Sequence, residues 1–123
     1  MKFHPDPVSA QSIQSYGANW VQVGTTRFEH SVVVSSNGER FDWNCCRFED
    51  LTPAHFEQLA ALQTELIIFG SGARLRFPAA SLLQSLIGQQ IGVETMDTQA
   101  ACRTYNVLAS EGRHVAVALL LEN

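Results

Sequence analysis

The chain is expected to fold as one compact α/β layered domain, and three observations predict it. Alternating β-type runs fill residues 16–44, and helical and strand-like stretches alternate over 52–121. The composition, 46% hydrophobic and 16% charged over 123 residues, is that of a globular chain and not a disordered one. That length fits a single domain, 1–123, which buries roughly two thirds of the surface it exposes unfolded.

Residues 1–15 lack periodicity and are expected to form an extended arm, ordered only where it docks. Trp20, Val21 and Val23 make a first strand ending at Gly24, and "RFEHSVVVSS" makes a second. "ERFDWN" follows with Phe41 and Trp43 alternating against Arg40, Asp42 and Asn44. Asn37-Gly38 between these two runs predicts a hairpin with a type I′ turn, which needs positive φ at both central residues. Trp20, Phe41 and Trp43 are expected in the core of this β layer.

Thr52-Pro53 reads as the N-cap and first position of a helix that buries Phe56, Leu59, Ala60 and Leu62. "LIIF" (66–69) is a continuous apolar run, as a strand covered on both faces requires. Pro78 is expected to open a second helix with a stripe of Leu82, Leu83, Leu86 and Ile87. A strand at Val93–Met96 leads to the capping pair Asp97-Thr98 and a third helix to about Ser110. Gly112 supplies a left-handed C-cap, and Val115–Leu121 closes the pattern as a strand.

A net charge of −4 argues against general nucleic-acid affinity. The cations are seven arginines and one lysine, Lys2. Cys45, Cys46 and Cys102 form an odd set without C-x-x-C spacing, and neighbours such as Cys45 and Cys46 seldom pair. Reduced thiols and a cytoplasmic location are expected. The opening "MKFHPDPVSAQSIQSYG" has no apolar signal core, and no window is long and apolar enough for a membrane span. His4, His30, His55 and His114 show no metal-ligand spacing, so neither a metal nor another cofactor is expected.

Chemistry, if present, belongs beyond the carboxyl ends of the strands. The exit "FGSGARLRFP" brings Gly70, Ser71, Gly72, Arg74 and Arg76, and the exit after Met96 brings Asp97, Thr98, Arg103 and Asn106. If the two strands are parallel neighbours, these residues form one rim able to hold an anion or a partner. Gly70-Ser71-Gly72 lacks the third glycine of a dinucleotide fingerprint and the Gly-Lys-Ser/Thr of a phosphate loop. Positive φ or close backbone approach is the plainer role for these glycines. Asp97 reads as a cap, and Cys102, beside Ala100, Ala101 and Tyr105, as a small buried hydrophobe. No catalytic residue is assigned.

"IGVETMDTQAACRTYNVLASEGRHVAVALL" (91–120), with "LIIFGSGARLRFP", resembles a domain-of-unknown-function family of bacteria and archaea. Its mitochondrial members are assembly factors for respiratory complex I (assembly factor 3). The resemblance covers roughly Val8 to Leu121. It implies three layers: a central mixed sheet of about five strands, flanking helices, and a small N-terminal β-hairpin layer. No established enzymatic activity comes with it. The matching positions are Gly70, Gly72, Arg74, Met96, Asp97, Thr98, Arg103, Thr104, Tyr105 and Asn106. One departure is Gln90, where a glycine is common before the third strand; glutamine in a left-handed cap costs up to about 1 kcal/mol.

Two functional readings result. The first is a binding or assembly-type domain acting through a protein partner. The second is a small anionic metabolite site, or an enzyme, at the loops after Phe69 and Met96. An open edge of the β layer also permits a homodimer.

Overall fold

A computed structural model describes residues 12–122. Three short strands, β1 (Ile13–Tyr16), β2 (Val21–Val23) and β3 (Thr26–Phe28), form an antiparallel sheet in that order. Five more form a second sheet: β4 (Val32–Ser35), β5 (Arg40–Asp42), β6 (Leu66–Gly70), β7 (Gly92–Met96) and β8 (Val115–Leu119). Their order is β5-β4-β8-β6-β7; β6 is parallel to both β7 and β8, while β4 is antiparallel to β5 and β8. The helices are α1 (Pro53–Ala60), α2 (Gln84–Gly88) and α3 (Thr98–Ser110), with 3-10 turns at Phe48–Asp50 and Ala80–Leu83.

Strand alternation sorts the core into two halves. Val33, Ile67, Phe69, Ala116 and Ala118 face Trp43, Phe56, Leu59 and Leu86 on the side of α1 and α2. Val32, Val34, Ile68, Val115, Val117 and Leu119 face Ala101, Cys102 and Tyr105 of α3, together with Ile13, Val21 and Val23 of the small sheet. The central sheet is thus sandwiched between helices on one face and α3 with the small sheet on the other.

Helix boundaries follow local chemistry. Pro53 opens α1, and the Thr52 N–H donates to His55 Nδ1 (2.9 Å), so histidine fills the role that glutamate has in a capping box. Asp97 Oδ1 accepts from the Ala100 N–H (3.0 Å) at the start of α3. At its end Gly112 (φ +80°) and Arg113 donate to Ala109 and Leu108, a Schellman arrangement. Gln90 takes the same part after α2, at φ +59°, where a non-glycine residue is strained.

Five expectations are revised. The β-rich stretch 16–44 is divided: its first strands build the small sheet, whereas the hairpin bearing Asn37-Gly38 enters the central sheet. That hairpin joins β4 to β5 through four residues, 36–39, among which only Gly38 has positive φ (+101°). Ser35 accounts for this: its Oγ accepts the Asn37 N–H (3.0 Å) and its C=O accepts the Gly38 N–H (3.1 Å), closing a turn without a left-handed Asn37. Pro78 does not open a helix, because the chain is still extended at Ala79; α2 has five residues and buries only Leu86, leaving Ile87 60% exposed. Trp20 precedes β2, half-buried, with the Arg27 guanidinium 4.3 Å above its ring, while Trp43 lies in the core as expected. Of the expected arm, Ile13–Tyr16 is β1, and residues 1–11 lie outside the described residues.

Candidate functional site

The register aligns Asp42, Val32, Leu119, Gly70 and Met96 in one row across the central sheet. Just beyond this row, at the carboxyl ends of β6 and β7, come Ser71 and Gly72 and then Asp97 and Thr98, with Arg74 and Arg76 further along the loop and Arg103 and Asn106 one to two turns along α3. The connection leaving β6 crosses the α1/α2 face, and α3, leaving β7, crosses the opposite face. Between such diverging exits an open α/β sheet ordinarily has its ligand crevice.

Here the chain laces that crevice shut. The Ser71 N–H donates to Met96 C=O (2.9 Å), and the Thr98 N–H donates to Gly72 C=O (2.8 Å). The Gly72 N–H donates to Thr98 Oγ1 (2.8 Å), whose own proton goes to Leu120 C=O (2.9 Å). Thr98 therefore ties together the ends of β6 and β8 at the start of α3. The glycines answer to this closeness. A Cβ on Gly70 would stand 3.0 Å from Thr98 Cα and 3.1 Å from Ala101 Cβ. Gly72 sits at φ +102°, a conformation open to glycine at little cost.

Ser71 is fully buried, and its hydroxyl donates to Arg74 C=O (2.8 Å) while accepting the Arg76 N–H (2.9 Å). That pair of bonds shapes the loop and turns Arg76 inward. Its Nη2 donates to Ser71 C=O (2.6 Å) and to Glu122 Oε1, its Nη1 lies 3.9 Å from Glu49 Oε1, and its Cζ stands 4.6 Å over the Phe48 ring. The Arg76 side chain is 15% exposed. Glu122 Oε2 accepts the Phe48 N–H (2.8 Å). Burial opposes ionisation of Glu122, but the bonds from Arg76 and from the Phe48 N–H outweigh it and hold the carboxyl below the usual range.

The other cations differ. Arg74 is exposed, and no side-chain partner is found for it among the described residues. Arg103 is exposed and donates to the Tyr16 hydroxyl (3.2 Å), which raises its pKa further. Asn106 is an anchor: its Oδ1 accepts the Ile13 N–H (2.9 Å) and its Nδ2 donates to Ile13 C=O (2.8 Å). This side chain thus serves β1 as a neighbouring strand would. Arg103 and Asn106 share a helix face as their spacing requires, and β1 reaches that face at both residues.

The remaining nucleophiles are quiet. Burial pushes the Cys102 thiol up to about 12, with the Arg103 charge opposing, and also raises Cys45 and the Tyr105 phenol. Cys46 is exposed; all three cysteines are free. Along the same sheet edge but beside β4 and β5, a cleft of about 370 Å³ is lined by His30, Asp42, Trp43, Cys46 and Leu121 among others. There His30 Nε2 lies 2.8 Å from Asp42 Oδ1. No cluster of three or more His, Cys, Asp or Glu suited to a metal occurs among the described residues, and no described helix is long and apolar enough to cross a membrane.

Sequence reasoning missed Glu122, Phe48, Tyr16 and Ile13, the partners that decide what the rim residues do. Each lies 46, 28, 87 or 93 positions from its rim residue, so no local spacing announces it.

A family model described as a protein of unknown function (DUF498/DUF598) matches residues 13–120. The human NADH dehydrogenase [ubiquinone] 1 alpha subcomplex assembly factor 3 is 29% identical over 124 residues, covering 94% of this chain; the chain spans 63% of that protein. A crystal structure of a Bordetella parapertussis protein superposes with a TM-score of 0.85 at 37% identity, over 90% of this chain and 95% of that one. A solution structure of a Bordetella pertussis protein, called a Mth938-like domain, gives 0.84 at 31% identity, over 100% and 94%.

Proposed function

The chain belongs to the DUF498/DUF598 family of proteins of unknown function, and from that membership we propose an assembly-type binding domain that works through a protein partner. The likeness to proteins named for assembly of NADH dehydrogenase supports the class of function. One observation supports the means. With Arg76 drawn inward by Ser71, Phe48 and Glu122, its neighbours Leu75 and Phe77 stand out from the surface, 52% and 69% exposed. Alternation along an extended chain puts these two on the side away from Arg76. Exposed aromatic and aliphatic anchors on a hydrogen-bonded loop are what a protein interface uses at its centre. Arg74, exposed at the start of the same stretch, supplies a charge at the rim.

The anion reading at Ser71, Arg74, Asp97 and Arg103 draws less support. The hydroxyl of Ser71 holds its own loop, Asp97 caps α3, and Arg103 bonds Tyr16. Self-pairing of edge strands also draws less. β7 carries Glu94, β5 carries Arg40 and Asp42, and Asn106 clamps β1; charged edges resist pairing. Free thiols on all three cysteines fit a reducing compartment such as the cytoplasm.

The test is crosslinking and affinity capture from the native cell, with wild type beside a Leu75→Ser/Phe77→Ser variant of equal thermal stability. The reading expects a protein recovered with wild type and lost with the variant. Equal recovery from both would refute this surface, and no recovery from either would refute the function.

A further inference from the structure

Arg76 and Glu122 form more than a surface ion pair. The two Glu122 oxygens are held by different pieces of chain, Oε1 by the guanidinium and Oε2 by the Phe48 N–H, 74 residues away in sequence. The turn leaves space for this carboxylate: a Cβ on Gly72 would come within 2.9 Å of Oε1 and 2.6 Å of Arg76 Nη2. The Phe48 ring backs the guanidinium, as aromatic faces do at arginine sites. A backbone donor, an arginine fork and a glycine without side chain are the parts of an oxyanion receptor.

The receptor is incompletely used. Arg76 Nε is buried and has no hydrogen-bond partner among the described residues. Glu122 engages the fork through Nη2 alone. A carboxylate approaching side-on bonds Nε and Nη2 together, the bidentate geometry for which guanidinium is suited. An unmet buried donor carries a free-energy penalty, so a ligand that satisfies it has an advantage over the resident side chain.

We propose that Arg76, the Phe48 N–H and the Gly72 turn form a receptor for a carboxylate ligand, in which Glu122 is a built-in competitor. This site takes Gly72 and Arg76 from the rim but not Arg74, Asp97 or Arg103, and it does not depend on the partner reading. Glu122 keeps the site closed, and a carboxylate that displaces it adds the Nε hydrogen bond. The ligand class is a small organic acid.

Removal of the competitor tests this. In Glu122→Ala, sodium acetate or formate is expected to raise Tm along the logarithmic course of ligand binding, by roughly 5 °C at about tenfold excess over Kd. Sodium chloride at equal ionic strength is expected to leave it unchanged. Arg76→Met/Glu122→Ala is expected to lose the carboxylate-specific rise. If acetate and chloride act alike on Glu122→Ala, or if the double variant responds as the single one does, the receptor is refuted. Should Glu122→Ala not fold, Glu122→Gln replaces it and the Phe48 amide resonance is followed during acetate titration. A saturable shift supports the proposal, and none overturns it.

Discussion

Arg76 and Arg103 stand at the same edge of the same sheet and do opposite things. Arg76 is enclosed between an aromatic ring and a carboxylate, with its backbone N–H held by a buried serine. Arg103 reaches across exposed surface to one tyrosine hydroxyl. Residue type is shared, and each follows a strand of the central sheet, Arg76 in the loop after β6 and Arg103 in the helix after β7. What separates them is desolvation: a charge removed from water becomes indispensable to its partner, whereas a solvated one remains replaceable.

The largest expected effect breaks the enclosed member. Arg76→Met leaves Glu122 Oε1 and the loop carbonyl of Ser71 without the guanidinium and is expected to cost about 3 kcal/mol, read from urea or thermal unfolding. Next comes Asn106→Ala, which abandons both backbone groups of Ile13; a loss of about 2 kcal/mol is expected, with hydrogen exchange at the Ile13 amide rising more than in the central sheet.

Acid sharpens the comparison. The Glu122 carboxyl is held below its ordinary value, so its contribution is complete above roughly pH 5, beyond the unfolded value of about 4.3, and is lost as pH falls through the lowered folded value. The Tm gap between wild type and Glu122→Gln is therefore expected to be widest near neutrality and to close in acid. The smallest effect is that of Arg103→Ala, expected to leave the unfolding midpoint nearly unchanged because the guanidinium is exposed. A loss as large as that of Arg76→Met would erase the distinction.

Much of the fold was legible because short-range chemistry decided it. Thr52-Pro53, Asp97-Thr98 and Gly112 announced helix ends that the structure has, and "LIIF" announced a strand covered on both faces. The left-handed Gln90 was expected from the family resemblance, as the place where a glycine is common. The hairpin's sheet was not, because β4 pairs with β8 at separations above 80 residues, which no local pattern encodes. The rim suffered the same limit. Ser71, Arg76 and Thr98 were rightly placed at strand exits, but a polar residue looks the same in sequence whether it faces a ligand or its own backbone. Asn106 is the sharpest instance: its spacing from Arg103 suggested a shared binding face, and the face holds a strand.

The order β5-β4-β8-β6-β7 bears on how the molecule is made. β8, which follows the other seven strands in the chain, is the central one, with β4 on one side and β6 on the other. Until it arrives, the pairs β4–β5 and β6–β7 have no shared ladder, and each presents an open apolar edge. Joining them takes a pairing across more than 80 residues, the kind of long-range closure that slows folding and lengthens the interval in which aggregation competes.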